Sequence, residues 1–413
     1  MKIAVIGSGV SGLSAAHFLS KKHQVDLFEK EDYFGGHSYT VEVPTEKLNK
    51  LISVDLGFIV FNKINYPNLT KLFGKLKVPY EKSNMSFSVS VKNSNIEYSG
   101  NGLKGLFSRK NNIFNFKFLK MIQEIIFFYK EAASLNEKNY ENQTLGEFLR
   151  YKKMSNYFIK FHIIPMVAAI WSMPSEVVEK MPVTLFLNFF KNHGLFQIKN
   201  RPQWYTVTGR SKTYVGKILR TISGEYFKNY EIKTVSRNKN NVRLYYGSAN
   251  EYFEYDHVIF ATHADTALKL INNPTENEKK ILKNFEYTKN VAYLHNDIFF
   301  MPKNKNTWSS WNAILDKHDL NKNCVTYWLN KLQNLNTQKN YFLTLNPIAN
   351  IDKSKIIKKV EFTHPFYDFK TVKAQKYLSK LQGVNNSWFC GSYFGYGFHE
   401  DGLNSGIDVS NKL

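Results

Sequence analysis

The sequence predicts an α/β chain, and three observations predict it. Residues 2 to 6 form a short apolar strand that runs straight into Gly7-Ser-Gly9-Val-Ser-Gly12, and Leu13-Ser-Ala-Ala-His-Phe-Leu-Ser20 continues as a helix. A second strand, Gln24-Val-Asp-Leu-Phe28, ends at Glu29. Strand, glycines, helix, strand and acid in that order form the pattern of a βαβ unit that binds a dinucleotide.

Each part of that pattern has a mechanical task. Gly7 makes the tight turn, Gly9 lets the backbone approach a pyrophosphate, and Gly12 permits close helix–strand packing. Val10 and Ser11 lie with Gly12 at the helix start, where backbone N–H groups and the helix dipole favour phosphate charge. Glu29 stands twenty residues after Gly9, where a carboxylate accepts hydrogen bonds from ribose hydroxyls and disfavours a 2′-phosphate. Lys30 follows it directly.

Composition narrows the remaining classes. The chain has 413 residues, 43% hydrophobic and 15% aromatic, which suits a folded protein of two or three domains. Lysine and arginine outnumber acids by 56 to 34, a net charge of +22. Only seven of the 56 are arginine, and no helix-turn-helix, zinc-finger or RNA-recognition signature accompanies them, so no specific nucleic-acid partner is expected. An anionic membrane surface remains as a peripheral partner. Two cysteines, Cys324 and Cys390, provide neither a disulfide framework nor a metal site, and no metal is expected. The expected location is the cytoplasm, with neither signal peptide nor membrane span.

Later motifs extend the first. Five residues separate Glu29 from Gly35-Gly36-His37-Ser38, and Asp55-Leu56-Gly57 closes a strand. Ile232-Lys-Thr-Val235, a polar hairpin and Asp256-His-Val-Ile-Phe-Ala261-Thr262 follow. Phe389-Cys-Gly391-Ser392 leads to Phe398-His399-Glu400-Asp-Gly402-Leu403-Asn-Ser405-Gly406. In this order the motifs resemble those of the flavin amine oxidase and carotenoid (phytoene) desaturase superfamily. Trp204-Tyr-Thr-Val-Thr-Gly209, Ala261-Thr-His-Ala-Asp265 and Leu294-His295-Asn-Asp297 add a resemblance to a bacterial branch of NAD/FAD-binding oxidoreductases. Members of that branch are often encoded beside cyclopropane-fatty-acid-synthase-like enzymes.

The resemblance implies a Rossmann-like FAD-binding domain of the amine-oxidase/glutathione-reductase type with an inserted α+β substrate domain. It implies noncovalent FAD held by the motif residues named above, with Val235 on a strand that clasps adenine. The glycine turn at Gly391 then opens a helix whose N–H groups face the flavin. The motif order places the FAD domain in residues 1–60, 201–268 and 385–413, and the substrate domain in 61–200 and 269–384.

Departures from the family pattern bear on chemistry. His37 replaces a frequent arginine, and Arg210 follows Gly209 as a solvated loop residue. Phe398 falls at the position of one of the two rings that flank an amine in amine oxidases. The other ring position lies near His364-Pro365-Phe366 without a tyrosine, and Lys289 is one residue from the place of the flavin-facing lysine. His399, beside Glu400, is the candidate proton acceptor or donor, with His364 and His295 behind it. Cys390 reads as core. The aromatic-rich stretch from Phe58 onward, with a helix over Ile113 to Lys130, allows two readings, a packed helix or an interfacial helix offering aromatics and lysines to a bilayer.

The expectation is an FAD-dependent enzyme that dehydrogenates a small hydrophobic substrate, a lipid or fatty-acyl chain. The alternatives are a flavin amine oxidase acting on C–N bonds, and a non-redox flavin-dependent isomerase or lipid-binding accessory protein.

Overall fold

The computed structural model describes residues 1–247 and 251–413. Its first layer is a parallel sheet of five strands in the spatial order Tyr226–Phe227, Gln24–Phe28, Lys2–Ile6, His257–Phe260 and Ser387–Phe389. Lys2–Ile6 lies in the middle, and its continuous apolar run reflects burial on both faces of a parallel sheet. Helix Val10–Leu19 covers one face and buries nine of its ten residues, because helix His399–Lys412 packs on its other side. Small residues allow the two helices to meet closely. The Ser14 hydroxyl donates to the Leu403 carbonyl at 2.9 Å, and a Cβ at Gly406 would overlap the carbonyl oxygen of Ser11.

An antiparallel sheet of three strands, Thr234–Arg237, Val242–Tyr245 and Tyr252–Tyr255, packs on the opposite face, its Val235, Val242 and Leu244 in one core with Ile6, Phe28 and Phe260. Arg237 fastens this region. Its guanidinium donates to both Glu278 oxygens, at 2.6 and 3.0 Å, and to the Ser387 hydroxyl at 3.0 Å. Both charged side chains are buried, with 2% and 0% exposure.

The second layer is a sheet of seven strands ordered Ile356–Phe366, Glu286–His295, Phe342–Leu345, Asn323–Trp328, Trp311–Leu315, Phe87–Val91 and Glu97–Ser99. Its one parallel pairing joins Phe87–Val91 to Trp311–Leu315. Helices Phe116–Ser134, Leu145–Tyr151, Ile164–Trp171 and Val183–Asn192 enclose an aromatic core that includes Phe118, Phe128, Phe148, Phe158, Phe186 and Phe190. Residues 61–83, which the motif order put with the substrate half, send Phe61, Tyr66, Leu69, Leu72 and Phe73 into the core around helix Val10–Leu19. Cys390 is in that same core, and both cysteines are buried and free. Among the described residues no helix is long and apolar enough to cross a membrane.

Removing one partner of a buried ion pair leaves the other charge uncompensated, at a cost of about 3–5 kcal/mol. Arg237→Met is therefore expected to lower stability by that amount in urea unfolding, and the double change Arg237→Met with Glu278→Leu to recover most of it.

Candidate functional site

The site begins where the middle strand meets its helix. Gly7 turns at φ +100° beneath the Ala261 carbonyl, and a Cβ at Gly12 would overlap the Gly7 carbonyl oxygen. Gly9 differs from both, since a Cβ there would find no atom within 4 Å. No side chain caps helix Val10–Leu19, and its first turn holds no acid. The partial positive charge of its first N–H groups is thus available to an anion.

Glu29 is buried at the tip of the second strand and is already well supplied with donors. It accepts from the Ser8 N–H at 3.0 Å, the Ser8 hydroxyl at 2.6 Å and the Glu31 N–H at 3.1 Å. The Ser8 oxygen in turn accepts from the Gly35 N–H at 3.1 Å. One hydroxyl thereby ties the acid and the second glycine pair to the first loop. Gly36, at φ +57°, brings its backbone against Gly9, where a Cβ would lie 3.1 Å from the Gly9 Cα. Ala261 and Thr262 follow the neighbouring strand, with the Ala261 N–H on the Ile6 carbonyl. Lys30 points outward and pairs with Glu31 at 3.4 Å, away from the glycine loops.

Three expected site residues are occupied with holding the scaffold. Asp55 accepts from the Ser211 N–H at 2.9 Å, the Ser211 hydroxyl at 3.0 Å and Thr40 at 2.6 Å, so its carboxylate caps helix Ser211–Leu219. Gly57 is needed because a Cβ there would overlap the His37 carbonyl. Val235 is buried, with its carbonyl on the Asn272 N–H. Arg210, expected in solvent, is buried and donates to the carbonyls of Ser53 and Gln333 at 3.0 and 2.7 Å.

The last helix contributes differently from the expectation. Glu400 accepts from the Asn68 and Leu69 N–H groups at 2.8 and 3.0 Å and caps helix Pro67–Lys75, which directs its carboxylate away from the histidine beside it. Asp401 holds the preceding turn through the N–H groups of Tyr396 and Phe398. The Ser405 hydroxyl accepts from the Gly391 N–H at 2.9 Å and fixes the turn that continues through Ser392. At Gly402 a Cβ would lie 2.8 Å from a Val10 methyl, and Leu403 is fully buried. Phe398 stacks on Phe189 at 4.5 Å.

Four imidazoles gather around the second glycine turn. His37 lies 5.0 Å from the Phe362 ring and 5.1 Å from His364, and its Nε2 is buried with no hydrogen-bond partner. Burial, then the neighbouring imidazoles of His364, His263 and His399, hold it well below the ordinary histidine range. His399 stacks on Phe58 at 3.7 Å, and its Nε2 is 2.8 Å from the Tyr214 hydroxyl and 3.2 Å from that of Ser38. Burial pushes it down to about 3. His364 receives the Asn290 amide at 2.9 Å and is pushed to about 4 by burial and by His263. All of these rings are uncharged near neutral pH.

Lys289 is a correction. Strand Glu286–His295 alternates, so Thr288 and Asn290 reach His364 while Lys289 between them is exposed. His295 lies elsewhere in the sheet, bonded to Thr344 and Asp297. Tyr214 carries no motif that would reveal it in the sequence, and Ser8 fills the position between Gly7 and Gly9 whose side chain the motif leaves unspecified. Tyr367 had a signal: it stands one residue beyond His364-Pro365-Phe366. It is fully buried, its hydroxyl has no partner, and a Cβ on Gly397 would lie 2.8 Å from it. Among the described residues no group of acids, histidines and cysteines could hold a metal ion.

The open flank of Gly9, the uncapped helix and the unpartnered His37 Nε2 together fit the diphosphate of a dinucleotide. Residues 5–76 match the NAD(P)-binding Rossmann-like domain family. A 1-hydroxycarotenoid 3,4-desaturase from Flavobacterium sp. is 51% identical over 43 residues, a match spanning 10% of this chain and 9% of that protein. The chain is also similar in structure to a CLA-producing fatty acid isomerase from P. acnes, with TM-score 0.69, covering 100% of this chain and 98% of that one. Wild-type putrescine oxidase bound to putrescine gives 0.71 over 100% and 99%, and cyclohexylamine oxidase from Brevibacterium oxydans 0.67 over 100% and 98%. Each of the three is 12% identical to this chain, a likeness of fold. These findings bear out the α/β fold and the resemblance to the flavin amine oxidase and carotenoid desaturase superfamily.

Gly9→Val is expected to fold at a cost below about 1 kcal/mol, since its side chain enters open space, yet to lose dinucleotide binding. Gly12→Ala should instead lose about 1–3 kcal/mol through overpacking, so thermal unfolding and cofactor content distinguish the two roles. Burial places His162 and His399 at about 3 and His17, His193, His295 and His364 at about 4, whereas Asp55 and Asp401 are raised to about 6. Each low histidine takes up a proton more readily once unfolded, so stability present above about pH 6.5 is lost below it, at up to ~1.4 kcal/mol per pH unit. The two carboxyls act in the opposite sense and are outnumbered. Chemical denaturation at pH 7, 6, 5 and 4 should show stability falling throughout.

Proposed function

We propose that the protein is an FAD-dependent oxidoreductase that dehydrogenates an apolar substrate across a C–C bond, in a lipid or fatty-acyl chain. Bound FAD supplies the acceptor for two electrons. The residues that would hold it are the glycine turns at Gly7–Gly12 and Gly35–Gly36, the acid Glu29 beneath them, and the loop at Gly391.

The observation that carries the apolar substrate is the character of the side chains around the second glycine turn. His37, His263, His364 and His399 are all held below the ordinary histidine range by burial. Around them stand Phe58, Phe362 and Tyr287. The nearby acids Asp55, Glu400 and Asp401 have their oxygens on backbone N–H groups. A protonated amine would find each of these three carboxyl groups already holding N–H donors, and burying it without a counter-charge is costly. The name of one structural neighbour gives a fatty acid as substrate, which supports the same class. His399, joined to Tyr214 and Ser38, is the group we assign to receive the proton released from substrate. The buried cysteines fit a reducing compartment, and we assign the protein to the cytoplasm.

The purified protein is expected to show the absorption of oxidised flavin and to release FAD on denaturation. Under anaerobic conditions, unsaturated or methylated fatty-acyl lipids should bleach that absorption, whereas bleaching by polyamines or aryl amines alone would establish the amine oxidase. Bound FAD that no lipid or amine reduces, with lipid binding retained, would establish the isomerase or accessory protein. Tyr367→Phe removes a buried hydroxyl that lacks a partner, so the melting temperature should not fall. Flavin reduction by the lipid should slow by roughly a hundredfold or more in His399→Gln, which removes the assigned proton acceptor.

A further inference from the structure

Helix Phe116–Ser134 carries two unlike faces. Phe118, Met121, Phe128, Tyr129 and Ala132 enter the aromatic core. The outward stripe, at helical spacing, reads Phe116, Lys120, Gln123, Phe127 and Lys130, all exposed. Phe116 is 87% exposed and Phe114, in the turn before it, 82%. Such exposure of neighbouring large apolar side chains has no part in holding this fold together and marks a contact surface.

Charge beside those rings says what the contact is. A groove of about 460 Å³ adjoins the helix, lined by Lys117, Lys120 and Lys160 together with Tyr157, Phe161 and Leu320. Among the described residues none of the three lysines forms an ion pair. The acids of the helix are turned to other tasks, Glu124 accepting from Ser155 and Glu131 pairing with Lys152. The face therefore joins uncompensated positive charge to protruding aromatic rings.

We propose that this face docks on an anionic lipid bilayer, with Phe114, Phe116 and Phe127 entering the boundary between headgroups and acyl chains and the lysine groove receiving a lipid phosphate. A bilayer meets both demands, because anionic headgroups lie directly above an apolar layer. A duplex nucleic acid would satisfy the lysines and leave the phenylalanines in water. The inference is independent of the proposed reaction, since it is read from binding without turnover.

The test is sedimentation of the whole protein with vesicles of equal phosphatidylglycerol and phosphatidylcholine, and with vesicles of phosphatidylcholine alone. Binding should be at least about tenfold weaker to the neutral vesicles and should fall as sodium chloride is raised from about 50 to 500 mM. Each lysine changed, in Lys117→Gln, Lys120→Gln and Lys160→Gln, should weaken binding roughly fivefold. The double variant Phe114→Ser with Phe116→Ser should weaken it roughly tenfold or more while unfolding at the same temperature, because neither ring packs in a core. Equal binding to both vesicle types would overturn the proposal, as would double-variant binding that matches the unaltered protein. Complete displacement from anionic vesicles by duplex DNA at equal phosphate concentration would also overturn it and point to a general polyanion surface.

Discussion

Helix Val10–Leu19 is held at backbone contact on two sides, and the positions of the candidate site groups follow from that closeness. On one side Gly12 meets the Gly7 carbonyl, and on the other Gly406 meets the Ser11 carbonyl. Helix His399–Lys412 therefore rests directly on the helix whose start faces the open flank of Gly9. His399 opens that helix, so its ring is placed by the same contact. Glu400, one residue on, draws the start of helix Pro67–Lys75 onto it. A side chain larger than hydrogen at Gly12 or Gly406 would move the loop, the imidazole and the capped helix together.

The acids of this region show how carboxyl groups are held inside a fold. Glu29, Asp55, Glu400 and Asp401 are each surrounded by backbone N–H donors, and three of them anchor a helix start or the turn before one. Hydrogen bonds from N–H groups to a carboxylate are stronger than neutral ones and offset the loss of water. The same oxygens cannot then serve a ligand as a free counter-ion.

The parts of this arrangement that were legible in the sequence are those encoded by neighbours along the chain. Gly7, Gly9, Gly12 and Glu29 fall within one βαβ unit, and their spacing alone identifies it. The roles of Asp55 and Glu400 were not legible, because each caps a helix that begins far away in sequence, at Ser211 and Pro67. A local capping box such as Thr275 with Glu278 has a readable spacing, whereas a distant cap has none. Lys289 was misread for a different reason. Strand alternation fixes which residues share a face, but only the pairing with Ile356–Phe366 decides that Asn290, and not Lys289, faces inward. Arg210 was unreadable in the same way, since a positive φ and two carbonyl acceptors from distant loops leave no trace in composition.

The central sheet draws its strands from the beginning, the middle and the far end of the sequence, and the hydrogen bond from Ser14 to Leu403 closes a separation of 389 residues. Loops of that length carry an entropic penalty that must be met before the contacts they create give any return, which makes such topologies slow to form. On the ribosome the first βαβ unit is synthesised long before the last strand and helix that complete its packing. The edge of strand Lys2–Ile6 stays unpaired until His257–Phe260 has emerged, and the helix face that meets Leu403 and Gly406 stays open until the last helix has. Transient exposure of apolar surface and of a strand edge during synthesis is thus a consequence of how the sheet is threaded.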